Sequence, residues 1–131
     1  MINTYFESVS ATISYNSQAQ YMCLQIRGFM KEEDFKRVLL KAREFFISLR
    51  IHKVLNDFRE FKGTTPSMQE WAVKEYYPTL VKNGLTHGAL LLNNDVFAKY
   101  AAKNVQGKAS QTFEYPAFNN ITQAEKWLAR H

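Results

Sequence analysis

The sequence predicts an α/β fold: one mixed, mostly parallel sheet with antiparallel strands at its N-terminal side. Three observations carry that prediction. The stretch through Arg27 holds three short runs of β-branched and aromatic residues separated by turns too short for a helix. From Lys31 onward, apolar stripes of helical period alternate with apolar runs of strand length. The composition, 46% hydrophobic and 22% charged over 131 residues, suits a single globular domain spanning residues 1–131.

The elements follow in order. Thr4–Glu7 and Ala11–Tyr15 read as strands, Asn16-Ser17-Gln18 as a turn, and Tyr21–Arg27 as a third strand closed by Gly28. Lys31–Leu49 reads as a long helix, because Phe35, Val38, Leu39, Ala42, Phe45, Phe46 and Leu49 keep one apolar stripe. Glu32, Glu33 and Asp34 suit the positive end of its dipole, although no good N-cap residue precedes them. Lys53–Asp57 is a short strand, followed by a loop through Gly63-Thr64-Thr65-Pro66.

Ser67 with Glu70 matches a capping box and opens a helix, Ser67–Lys82, in which Pro78 predicts a kink or a restart. Gly84 stops it. His87–Leu92 is a compact apolar run, as in a strand buried on both faces. Asn94 or Asp95 caps a third helix whose inner face is Phe97, Tyr100, Ala101, Asn104 and Val105. Gln111–Tyr115 reads as the last strand, and Thr122 with Glu125 as a second capping box before the terminal helix of Ala124, Trp127 and Leu128. The order is β-β-β-α-β-α-β-α-β-α.

Composition excludes several classes. One cysteine, Cys23, forbids an internal disulfide framework, and no apolar run reaches the roughly 18 residues of a membrane helix. The net charge of +5 favours anionic partners in general, but in Lys31–Arg50 bases alternate with acids. The concentrated bases are short groups such as Lys99, Lys103 and Lys108, so nucleic-acid binding is not expected. A signal-peptide pattern is missing at Met1–Glu7, and with no paired cysteines this points to the cytoplasm.

The whole layout, from Thr4 to Leu128, resembles the SpoIIAA-like family of the STAS and CRAL-TRIO-like fold. Carrying the resemblance are Gly28-Phe29 before the long helix, Leu55-Asn56-Asp57, Trp71 and Pro78, and Gly84 before Gly88–Leu92. Phe97, Phe118 and the Ala124-x-x-Trp127-Leu128 pattern complete it. The resemblance implies a STAS-like sandwich acting by binding, as a bacterial regulatory or interaction module whose partner is another protein or a second copy in a homodimer. Anti-sigma antagonists of this fold are switched by phosphorylation in an Asp-Ser-Ser/Thr-Gly turn. The corresponding segment here, Phe-Lys-Gly-Thr-Thr-Pro-Ser-Met-Gln at 61–69, has hydroxyls at Thr64, Thr65 and Ser67 but lacks that core. Similarity to CRAL-TRIO proteins implies, as an alternative, a carrier of a lipid-like ligand.

Residues that would carry catalysis do not converge. His52, His87 and His131 have no metal-ligand spacing and read as surface residues, and Cys23 reads as a packing residue. No phosphate-cradling glycine loop occurs, so no cofactor is expected and the chain is read as a non-enzyme. Interest falls instead on the C-terminal end of the central strand. There Asp57, Phe58 and Phe61 lead to Ser67, Trp71, Tyr76 and Tyr77, the candidate surface for a ligand or partner. The backbone N–H groups at Ser67–Gln69 are placed to receive an anion, and Thr64, Thr65 and Ser67 are candidate phosphorylation sites.

Overall fold

A computed structural model describes residues 1–103 and 112–131, the side chains of 100–103 excepted. Strands β1 (Ile2–Glu7), β2 (Ala11–Asn16) and β3 (Tyr21–Phe29) form an antiparallel meander. Then β4 (Lys53–Gly63), β5 (His87–Leu91) and β6 (Ala117–Phe118) add in parallel, giving one six-stranded sheet in the order β1-β2-β3-β4-β5-β6. Helix α1 (Glu32–Leu49) joins β3 to β4. Helix α2 (Pro66–Trp71), a π-helical turn (Ala72–Tyr76) and α3 (Tyr77–Lys82) join β4 to β5, and α4 (Asn94–Lys103) follows β5. Helix α5 (Ile121–Ala129) comes last. This α/β sheet, antiparallel first and parallel afterwards, is the predicted fold class.

Two cores lie on opposite faces of the sheet. The larger is built by Ile13, Met22, Leu24, Ile26 and Val54 from the sheet, with Phe35, Val38, Leu39, Ala42 and Phe46 of α1. Met68, Ala72, Tyr76 and Leu80 extend it beneath α2 and α3. The smaller joins Tyr21, Leu55, Ala89 and Leu91 to Ala124 and Leu128 of α5. Burying Ala89 and Leu91 on one face and Leu90 on the other explains why β5 reads as a continuous apolar run.

Several boundaries move for local reasons. Strand β4 is 11 residues long and does not end at Asp57. Partner Gln25 meets Asp57 while Arg27 meets Glu60, so a bulge on β4 carries the ladder on to Gly63 opposite Phe29. Gly28 does not close the third strand but lies within it, at φ +73°, a conformation that favours glycine. The last strand is not Gln111–Tyr115. Glu114 forms an isolated bridge to His87, and the regular pairing is Ala117–Phe118 beside Leu90 and Leu91.

The helix starts also shift. Thr65, not Ser67, caps α2: its hydroxyl accepts from the Met68 N–H at 3.3 Å, Pro66 takes the first turn, and Glu70 pairs with Lys74. Asn93, not Asn94 or Asp95, caps α4 by accepting from the Val96 N–H at 2.9 Å. Asn120, not Thr122, caps α5 through the Gln123 N–H at 3.0 Å, which frees Glu125 to accept from the Tyr21 hydroxyl. In each case an equally good capping side chain lies earlier in the sequence. The restart expected at Pro78 is present: the chain takes one π turn and resumes as α3 at Tyr77. Proline lacks an N–H and its ring crowds the preceding turn, which the wider spacing relieves. Asn104, Val105, Lys108 and Gln111 lie outside the described residues, as do the side chains of Tyr100, Ala101 and Lys103.

Candidate functional site

Strand alternation turns Asn56 of β4 toward the helices while Leu55 and Asp57 face α5. Asn56 is 1% exposed, so its amide needs internal partners. Its Nδ2 donates to the Tyr115 hydroxyl at 2.7 Å and lies 3.4 Å from the Tyr77 hydroxyl, and the two phenol oxygens are 3.1 Å apart. Rings surround this polar centre: Tyr77 lies 5.7 Å from Phe113, 5.6 Å from Tyr115 and 5.1 Å from Tyr76, and Tyr76 lies 6.4 Å from Trp71.

Burial pushes the Tyr76 and Tyr115 phenols well above their ordinary range. The Tyr115 shift is reinforced by Tyr77 and opposed by the Asn56 hydrogen bond, and the Tyr76 shift is reinforced by Tyr77 and opposed by Arg43. Both groups stay protonated near neutral pH, so they hold or donate hydrogen bonds and do not serve as bases. The Tyr76 hydroxyl is buried with no hydrogen-bond partner among the described residues.

A second aromatic group lies along the β4 extension and the first turns of α1. Phe61 stacks on Phe35 at 6.1 Å and meets Phe58 at 5.2 Å. Lys36, one residue along, places its ammonium 5.6 Å from the Trp71 ring. Phe58, Phe61, Trp71 and Tyr77 are all half-buried against the larger core, whereas Tyr76 lies inside it. The structure thus brings five of the candidate residues to the helix-covered side of the sheet.

Asp57 does not join them. It is buried on the α5 side, where Arg59 grips it through Nε at 2.9 Å and Nη2 at 2.8 Å. This pairing raises the Arg59 pKa further. The hydroxyls also separate. Thr64 is buried and donates to the Met30 carbonyl at 2.8 Å, Thr65 is occupied as the cap, and Ser67 is exposed, 3.2 Å from the Thr65 hydroxyl.

The sequence reading missed Asn56, Phe113 and Tyr115 as site residues. Asn56 did carry a signal, a lone amide inside an apolar strand, but nothing local links it to residues 59 positions away. It also missed a cluster at the opposite strand ends. His87, expected at the surface, is partly buried: its Nε2 lies 2.9 Å from the Glu114 carboxylate and its Nδ1 2.8 Å from the Thr86 hydroxyl. Its ring stacks on His131 at 4.2 Å and lies 5.6 Å from Trp127. Nearby, buried Lys53 donates to the Leu128 carbonyl at the C-terminal end of α5, where the helix dipole favours a cation. Cys23 is half-buried beside the smaller core, and desolvation pushes its thiol up to about 12. Among the described residues no three metal-ligating side chains gather closely enough to hold a metal ion, and no helix is long and apolar enough to cross a membrane.

No family model and no curated protein matches the chain. Among solved structures, it is similar to an uncharacterised protein of the DUF3478 family with a SpoIIAA-like fold from Shewanella loihica. The superposition has a TM-score of 0.63 and covers 98% of this chain and 95% of that one, at 15% identity. The chain therefore has the SpoIIAA-like fold that the sequence resemblance implied.

Proposed function

We propose that this chain is a non-enzymatic binding module that engages a protein partner, or a second copy of itself, through the aromatic surface of Phe58, Phe61, Trp71 and Tyr77. One observation carries the reading: these four side chains stay half-buried against the same core while the space beneath the adjoining helix is filled. Met68, Ala72, Tyr76 and Leu80 are each less than 9% exposed there. Packing of that kind supports recognition at a surface over enclosure of a lipid-like ligand between the sheet and the helix. The protonated phenols and the occupied Asp57 carboxylate likewise support a role without acid–base chemistry. Aromatic side chains, two from β4 and two from the helices that follow it, suit hot-spot contacts.

The test is a pair of variants compared by light scattering and by capture of partners from cell extract. Trp71→Ala with Tyr77→Ala should abolish self-association or partner capture while the circular dichroism spectrum stays native. A control, Lys99→Ala on α4, should leave both unchanged. Native folding with undiminished association in the aromatic variant would overturn the proposal.

A further inference from the structure

The geometry points to a second docking site, on the other side of the sheet: the β6 edge and α5 together receive an extended acidic segment of a partner protein. An open groove of about 600 Å³ runs between them, lined by Phe118, Gln123, Lys126, Ala129 and Arg130. Phe118 and Ala129 are its apolar lining residues. Its lining carries two cations four residues apart, Lys126 on α5 and Arg130 at the C-cap that follows it, both exposed and without an ion-pair partner among the described residues.

An independent feature says what shape of occupant fits. Among the described residues, strand β6 is the last in the sheet and pairs on one side only. The carbonyls of Glu114, Pro116 and Phe118 accept from Gly88, Leu90 and Leu92. By the two-residue alternation of a strand, the N–H and C=O groups of Tyr115 and Ala117 point away from β5, toward the open edge. Unpaired edge groups are a template for a further strand. A segment added there places alternate side chains over Phe118 and along Lys126 and Arg130. Charge complementarity selects acidic residues at those positions. This site lies apart from the aromatic surface of Phe58, Phe61, Trp71 and Tyr77, so either can fail alone.

The experiment is fluorescence anisotropy with a labelled glutamate–threonine repeat of about ten residues, long enough for one strand. Lysine–threonine repeats of the same length and an unstructured single-stranded DNA serve as comparison probes. The acidic peptide is expected to bind, the lysine peptide not. Lys126→Glu with Arg130→Glu should weaken it at least about tenfold, from lost charge pairing. Ala117→Pro, which deletes one outward N–H without adding charge, should weaken it as well, whereas Trp71→Ala with Tyr77→Ala should not. Circular dichroism identifies any variant that has lost its fold, and Lys126→Gln with Arg130→Gln then replaces the charge reversal. Absence of binding by the acidic peptide would overturn the inference. So would equal affinity in the folded charge and Ala117 variants, or tighter binding of the DNA, which would mark a nonspecific anion surface.

Discussion

The amide of Asn56 donates to the hydroxyl of Tyr115 at 2.7 Å, joining the middle of β4 to the segment that leads into β6. Both residues are buried, so removing either leaves the other with the Tyr77 hydroxyl as its remaining side-chain partner, away from water. Asn56→Leu and Tyr115→Phe should each cost about 1–3 kcal/mol, measured by urea unfolding. The double variant should cost less than their sum, because the second change removes the partner that the first deprived of this bond. Strict additivity would show that the bond contributes nothing.

Tyr76 is the reverse case. Its hydroxyl is already buried with no hydrogen-bond partner among the described residues, so Tyr76→Phe deletes a desolvated group and loses none of the described hydrogen bonds. Its stability should equal or exceed the parent's, while Tyr76→Ala should cost about 3–5 kcal/mol through the cavity it leaves. A marked loss in Tyr76→Phe would reveal a partner for that hydroxyl.

The cap of α2 separates two neighbouring hydroxyls. Thr65→Ala should cost about 0.5–2 kcal/mol, since the Met68 N–H loses its side-chain acceptor and keeps only the Thr65 carbonyl. Ser67→Ala, at an exposed position inside the first turn, should stay within about 0.5 kcal/mol. Thermal melts of the two variants side by side are enough to tell.

Gly88 is held by packing. A Cβ there would meet Phe113 and Tyr115 at 3.0 Å and Val54 at 3.1 Å. Gly88→Ala should therefore destabilise by about 1–3 kcal/mol and disturb the near-ultraviolet signal of the tyrosine cluster.

Cys23 sets a pH dependence. Its thiol is pushed up to about 12 in the folded chain, so between the ordinary thiol range and that value the folded state binds more protons than the unfolded. Stability contributed by Cys23 is then fully present below the unfolded thiol pKa and falls as pH rises through this window. Tyr21, also pushed up to about 12 by burial, acts in the same direction from its ordinary range upward. Urea unfolding midpoints should decline from about pH 8.5 upward, and less steeply in Cys23→Ala. Iodoacetamide should modify the native thiol far more slowly than the unfolded one.

The fold class, element order and antiparallel-to-parallel sheet were legible in the sequence, because helix and strand periodicities are written in consecutive residues. The stripe from Phe35 to Phe46 and the run Ala89-Leu90-Leu91 need no distant partner to be read. Part of the placement was legible too: Phe58, Phe61, Trp71 and Tyr77, named from the sequence, all pack half-buried against the larger core. Only the tertiary structure decided the rest. Asp57 went to the opposite face because a strand alternates its side chains and Arg59 waited there; Asn56 found Tyr115 and Tyr77 because parallel pairing set β4 beside β5 and β5 beside β6. The caps at Thr65, Asn93 and Asn120 were each decided among several adjacent hydroxyls and amides of nearly equal propensity. Local pattern fixes what a segment becomes, while which distant groups meet depends on how the assembled sheet turns each of them.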